Sequence, residues 1–509
     1  MRNLLLGIDL GTSACKTALF DLGGRVLAQR NESYPVYYPH PGWAEQEPEE
    51  WWQAVCRAVR RMLSGSGIDP ARIAGVGIDG QSWSAVPVDE DGKVLARTPI
   101  WFDTRALEIC RELSRDIGED NIFALCGNPL KPSYTLPKIL WFQREQPEIY
   151  AKTACFLQSN SFLVYRLTGV LSQDRSQGYG LHCYDMRKGC WDEEMCRKMG
   201  INPALLPPIY DCHQVVGTVT RKAARECGLP EGTPVAAGGL DAACGTLGAG
   251  VLHDGETQEQ GGQAGGMSIC ISRYRADPSL ILSSHVVPGR WLLQGGTVGG
   301  GGVCRWMEEE LCAPEREAAR KNGTSPFEEL DRSAEKIPAG SGGVVFLPYM
   351  AGERSPIWDE NAKGVFYGLD FSKSREHMLR AGLEGVAFSL RHNLDIAERA
   401  GASVSVLRSI GGAANSRLWT QMKADVTGKK IAVPSSDTAT TLGAAILAGV
   451  GVSLYRSFEE AVERTVSVKR EYLPNPELAP VYEKNYEIYL ELYRQLKPVM
   501  AAGKKESER

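Results

Sequence analysis

The chain opens on a short continuous apolar run, Leu4, Leu5, Leu6 and Ile8, which predicts a buried strand. Asp9 interrupts it, Gly11-Thr12-Ser13 reads as a turn, and a second apolar run from Ala18 to Phe20 predicts a returning strand. In PGWAEQEPEEWWQAVCRAVRRML, Pro48 and its acidic neighbours open a helix, and Trp51, Trp52, Val55, Val59 and Met62 recur at helical spacing. IAGVGIDGQSWSAVPVDEDGKVL reads as strand, glycine-bounded loop, strand and an Asp91-Gly92 turn. Helices are predicted near 105–116, 137–147 and 159–167, and PVAAGGLDAACGTLGAGV, from Pro234, as a buried strand running into a helix of small residues. A second cycle follows. ETQEQGGQAGGMSICIS, from Glu256, again sets a glycine turn between strands, with helices at about 303–320, 374–400 and 416–428. A strand from Val404 to Ile410 enters the turn SIGGAANSR. The region 456–498 reads as amphipathic helix with Tyr486, Tyr489, Leu490 and Tyr493 on one face, and the tail from Gly503 to Arg509 as structureless.

This alternation predicts an α/β protein. At 509 residues the default is two large domains, and the recurring glycine turn puts their boundary near 250, giving 1–250 and 251–509. A hydrophobic content of 43% and charged content of 23% belong to a globular chain. The net charge of −5 offers no electrostatic reason to expect nucleic acid. No uninterrupted apolar segment is long enough for a bilayer, so neither a nucleic-acid nor a membrane partner is expected and the expected location is cytoplasmic. The fourteen cysteines are scattered singly with no C-x-x-C pair, which favours free thiols over a disulfide scaffold or metal site.

The opening hairpin is a candidate phosphate cradle. Gly11 lets backbone approach an anion, Thr12 and Ser13 offer amides and hydroxyls, and Asp9 is placed for a hydrated Mg²⁺; an ordinary turn would read the same way. Asp241, among Gly238, Gly239, Ala242 and Ala243, can reach a bound hydroxyl as general base, or can cap a helix. Gly411 and Gly412 can lie against an adenine or ribose, or simply join strand to helix. Four consecutive glycines, including Gly300 and Gly301, ahead of a helix suggest close backbone approach to a ligand, with a flexible loop as the alternative. Gln81, Ser82 and Trp83 combine an amide, a hydroxyl and an aromatic face, as sugars require; for a lone tryptophan, a core anchor is the competing reading.

Several long segments, in order along nearly the whole chain, resemble the FGGY carbohydrate kinases, and most closely their xylulokinase-like branch. They are GIDLGTSACK (Gly7–Lys16), PGWAEQEPEEWWQA (Pro41–Ala54), PIWFDTR (Pro99–Arg105), LPYMAGERSP (Leu347–Pro356), KGVFYGLDFSKSREHMLRAGLEGV (Lys363–Val386) and GGAANSRLWTQMKADVTGKKI (Gly411–Ile431). The resemblance implies two actin-like ATPase domains of the ribonuclease H type around a nucleotide cleft, with ATP and Mg²⁺ and with sugar held mainly by the first domain. It implies phosphorylation of a ketose hydroxyl, a pentulose such as xylulose, with other ketoses, polyols and sugar acids as alternatives. A homodimer is the assembly it allows. Residue by residue it implies Asp241 as base and Asp9 as the carboxylate that organises Mg²⁺ through water. Gly11, Thr12, Ser13 and Lys16 form the phosphate loop, Gly262 and Gln263 the second phosphate turn, Gly300 and Gly301 further ATP contacts, and Gly411, Gly412 and Asn415 the adenosine site. Gln81, Ser82, Trp83 and Asp103 are the sugar contacts. The chain departs from xylulokinases where they usually carry Met-His (Ser82-Trp83 here), Asn after the base (Ala242), and Gly-Thr-Ser-Gly (Gly262-Gln263-Ala264-Gly265). Outside the family, an actin-like ATP-gated chaperone or filament protein, or a non-catalytic sugar-binding regulator, would use the same cradle.

Overall fold

The structure is a computed structural model describing residues 2–507. It divides into two compact units, residues 1–252, 272–292 and 438–467, and residues 253–271, 293–437 and 468–509.

In the first unit, the hairpin Leu4–Leu10 and Ala14–Phe20 forms as the apolar runs predict, and Val26–Ser33 extends it. Ile73–Gly80 pairs parallel to Leu4–Leu10, followed by Pro234–Ala236 and Val215–Thr218. Gly239–Leu240 joins the end of Ile73–Gly80. Side chains alternate along a strand, so Leu4, Leu6, Ile8 and Leu10 share one face. That face belongs to a core with Trp51, Trp52, Val55, Val59 and Met62 of the helix Pro48–Ser66, the five positions its periodicity selects.

The opposite face carries Gly7 and Gly77, directly paired across the strands. Here the helix Ala439–Gly451 approaches backbone to backbone: a Cβ on Gly7 would overlap the carbonyl of Thr441, and one on Gly77 that of Ala444. Gly248 and Gly443 allow the same closeness between this helix and Asp241–Gly248. The units are less continuous in sequence than a single division at residue 250. The first block does end near there, but Ser272–Leu292 and Thr438–Ser467 return to it. Ala439–Gly451 is almost wholly small or apolar, and its partner face was not recoverable from periodicity alone.

The second unit repeats the theme with Glu256–Gly261 and Gly265–Ile271 antiparallel, then Val406–Ile410 and Lys430–Pro434 parallel, and Val468–Tyr472 antiparallel at the edge. Its core combines Val345–Leu347 with helices Arg375–Arg399, Arg417–Thr427 and Ala479–Ser507, where Tyr482, Tyr486 and Tyr489 are buried. The expected continuous helix over 456–498 is corrected to helix Phe458–Thr465, that edge strand, and the final helix. Charged Lys469, Arg470 and Glu471 mask the strand's short alternation. Helical backbone continues to Ser507, into the segment expected to lack structure, and Glu508 and Arg509 lie outside the described residues. All fourteen cysteines are free, and all but Cys190 are buried.

Gly77→Ala tests the backbone packing. We expect a loss of about 1–3 kcal/mol in unfolding free energy by chemical denaturation, whereas an unchanged midpoint would mean the helix gives way at no cost.

Candidate active site

Three carboxylates converge in the first unit because three strands end at one level. Asp9 and Asp79 are paired across the parallel strands, and Gly239, paired with Asp79, leads through Leu240 to Asp241. Asp9 is 5% exposed and Asp79 fully buried. Lys16, opposite Asp9 in the hairpin, places its Nζ 3.5 Å from the Asp9 carboxylate. No hydrogen-bond partner reaches either oxygen of Asp79. Burial, reinforced by the charges of Asp9 and Asp241, pushes Asp79 well above the ordinary carboxylate range. Burial also raises Asp9, with Lys16 opposing.

Asp241 is the first residue of its helix, and Leu240 occupies the cap. The capping role that the sequence left open is thus corrected: one oxygen of Asp241 accepts from the amide of Ala242 at 2.6 Å, and the side chain remains half-buried. Its pKa is pushed up to about 7, first by burial and then by Asp9. A buried network fixes the approach to it. Ser176 donates to Asp174 at 2.5 Å and accepts from the Leu240 amide at 2.8 Å, while Asn160 donates to Asp174 at 2.9 Å.

Beside this group lie the predicted sugar residues. Trp83 is half-buried, lies against Tyr134 at a tilt of 32° with centroids 4.2 Å apart, and meets Tyr179 edge-on at 5.9 Å. The Tyr179 hydroxyl faces Ser82 and Trp83 and feels the charge of Asp241. Gln81 is buried, donating to Gln46 at 2.7 Å, with its carbonyl oxygen unpartnered. Asp103 as a sugar contact is corrected. It is fully buried, chelates Arg105 at 2.8–3.0 Å and accepts from the Ala44 amide at 2.7 Å, so both oxygens are committed to the fold. In the phosphate loop, Gly11 donates to the Ala14 carbonyl at 3.1 Å, and the Thr12 hydroxyl accepts from the Trp101 indole at 2.9 Å. The Ser13 side chain is exposed.

In the second unit, a cavity of about 550 Å³ is lined by Gly262, Gln263, Gly301, Gly412 and Asn415, together as the sequence predicts. Gly300 and Gly411 are not in its lining. The glycine run serves a different contact. Gly301 and Gly302 donate at 2.8 Å to the carbonyls of Gly262 and Gln263, and a Cβ on Gly300 would overlap the turn at Ala264 and Gly265. Gly411, at φ +84°, makes the sharp exit of its strand beside Gly261. Sequence reasoning missed Phe327, Arg305 and Asp331 in this lining, since they sit on ordinary-looking helices. It also missed Asp79, although Gly-Ile-Asp occurs within two predicted strands, at Gly7–Asp9 and Gly77–Asp79, besides Gly67–Asp69 ahead of Pro70.

Compared with known proteins, the chain matches the N-terminal domain of the FGGY family of carbohydrate kinases over residues 4–248 and its C-terminal domain over residues 273–452. It is 32% identical to the xylulose kinase of Bacillus subtilis (strain 168) over 502 residues, 98% of each chain. It is 29% identical to the gluconokinase of Bacillus subtilis (strain 168) over 498 residues, 97% of this chain and 96% of that one. The solved xylulose kinase from Rhodospirillum rubrum matches with a TM-score of 0.90 at 29% identity, covering 98% of this chain and 100% of that one.

Crowding of carboxylates has a measurable cost. The folded chain holds the Asp79 proton more tightly than the unfolded chain does, so stability falls as pH rises above the ordinary carboxylate pKa of about 4. Asp79→Asn escapes that fall. Denaturation without nucleotide or divalent cation is expected to show the variant more stable by at least about 1 kcal/mol near pH 8, with the gap closing toward about pH 4. No gain at the alkaline end would contradict the crowding.

Proposed function

The chain belongs to the FGGY family of carbohydrate kinases, and from that premise we propose that it transfers the γ-phosphoryl group of ATP to a neutral ketose, a pentulose such as xylulose, with Asp241 as general base. One observation carries this reading: a half-buried carboxylate with one oxygen held by an amide, raised to about 7, beside the aromatic and hydroxyl groups of Trp83, Tyr179 and Ser82. A base poised near neutrality matches proton removal from a sugar hydroxyl as that oxygen attacks phosphorus. In-line transfer needs little else from the chain than positioning and charge neutralisation. Lys16 and the amides around Gly11–Ser13 supply a cation and donors for phosphoryl oxygens.

Asp9 fits a hydrated Mg²⁺ as an outer-sphere partner. It lies in a group with more carboxylates than cations, and among the described residues no set of three or more His, Cys, Asp or Glu side chains can cage an ion directly. Mg²⁺, when bound with the nucleotide, neutralises charge on the phosphates. The cavity at Gly262, Gln263, Gly412 and Asn415 is the adenosine side of this reading, with Arg305 adding a cation and Phe327 an aromatic face.

The neutral acceptor follows from charge. Lys138, the cation buried beneath Trp83, gives its ammonium hydrogens to three backbone carbonyls and has none for a substrate carboxylate. Asp9 and Asp241, where ionised, repel an anionic sugar.

Asp241→Asn is expected to lower turnover at least about a hundredfold, since general-base help is typically worth about 10²–10⁴, while nucleotide still binds the second unit. In the parent enzyme, turnover should fall as pH drops through about 7, because protonated Asp241 cannot accept the hydroxyl proton. Near-parental turnover in the variant would refute the assignment. An ADP-release assay across ketopentoses, polyols and aldonic acids tests the acceptor: kcat/KM should favour a neutral ketose, and preference for an aldonic acid would overturn that class.

A further inference from the structure

Lys138 is fully buried in the helix Thr135–Glu145, an unusual place for an ammonium group. Its Nζ donates to the carbonyls of Trp83 at 2.8 Å, Ile100 at 2.7 Å and Ser133 at 2.6 Å. An ammonium has three hydrogens, and three carbonyls take them. These carbonyls come from three separated stretches of chain: the Gln81–Ser84 loop, the segment leading to Asp103, and the residue just before Tyr134. Burial lowers the lysine's pKa to about 7, opposed by the charge of Asp103, while Arg105 adds to the lowering.

Trp83 needs such a support. Its backbone sits at φ +60°, in the left-handed region that a bulky side chain avoids. Relaxing it would swing the indole off Tyr134. Gly180 marks the tightness of the same spot, since a Cβ there would come within 2.8 Å of the Trp83 ring and 2.9 Å of the Thr135 hydroxyl. Lys138 therefore ties the strained residue and its stacking partner to one rigid point.

We propose that Lys138 is a positioning residue for the acceptor: by clamping the carbonyls of Trp83 and Ser133 it holds the Trp83 ring on Tyr134 as the face against which the sugar's C–H side lies. The proposal rests on the reading of Ser82 and Trp83 as acceptor contacts. It assigns Lys138 no contact with substrate. It also requires the charged form, because a neutral amine offers only two hydrogens and would leave one buried carbonyl unpaired.

The test separates acceptor binding from turnover. Lys138→Met and Trp83→Ala are each expected to raise the KM for the best neutral acceptor at least about tenfold and to leave the KM for ATP within about twofold. The double variant should be no worse than the more impaired single one, because both remove the same placed ring. A lysine that merely stabilises the fold would reduce the active fraction and hence kcat, with the acceptor KM unchanged, and that result overturns the proposal. Additive KM effects overturn it too. Trp83 is half-buried, so Trp83→Ala stands as a test even if Lys138→Met fails to fold: an unaltered acceptor KM in Trp83→Ala rejects the stacking face. Failure of the underlying acceptor reading shows separately, as a parent enzyme that phosphorylates no neutral sugar.

Discussion

The register of two parallel strands governs this molecule. Because residues 5–10 pair with residues 75–80 one for one, Gly7 lies beside Gly77 and Asp9 beside Asp79 on one face of the sheet. The glycines admit the helix Ala439–Gly451 at backbone distance, and the aspartates two positions further on emerge where that close packing gives way to the active site. Slipping the pairing by one residue would turn the glycine row away from the helix and bury the carboxylates in the Trp51 core. Core packing and site charge are thus fixed by one alignment, and neither can change without the other.

That arrangement explains why so much of the first unit's polar interior is devoted to holding backbone. Asp174, Ser176 and Asn160 fix the approach to Asp241, Asp103 and Arg105 fix the segment after Ile100, and Lys138 fixes Trp83 and Ser133. The second unit relies on a different device. At its Gly262–Gly265 turn the glycine-rich helix start clasps the carbonyls of Gly262 and Gln263. Beneath that turn a buried pair, Lys423 and Glu259 at 2.5 Å, braces the strand that carries it, with the Ser409 hydroxyl also on Glu259.

Much of this was legible in the chain. The opening hairpin and the helix of Trp51 to Met62 follow from local pattern, which needs no knowledge of distant partners. Gly262, Gln263, Gly412 and Asn415, grouped through the family resemblance, line one cavity. What was not legible depended on long-range pairing. Ala439–Gly451 has no polar face to orient it, so its return to the first unit was invisible. Asp103 looked like a ligand because nothing local reveals that Arg105 folds back onto it. Lys138 read as one charge on a helix, since its three acceptors are carbonyls that no residue type announces. Asp79 was the avoidable miss: a repeated Gly-Ile-Asp on two predicted strands is a reason to expect them side by side.

Charge then decides what such a site can accept. Burial lifts Asp241 into the range of a useful base, and Asp9, which adds to that lift, also presents a field of negative charge to any incoming anion. A nucleotide phosphate can cross it only where counter-charge stands ready, and Lys16 beside Asp9 provides that on the phosphate side. The acceptor side has no such relief, because its buried ammonium already serves three carbonyls. A neutral polyhydroxy acceptor pays nothing to this field and gains the aromatic face, whereas a sugar acid would meet the field unaided. In the proposed reading, one charged group, Asp9, bears both on the strength of the base and on the charge of the acceptor.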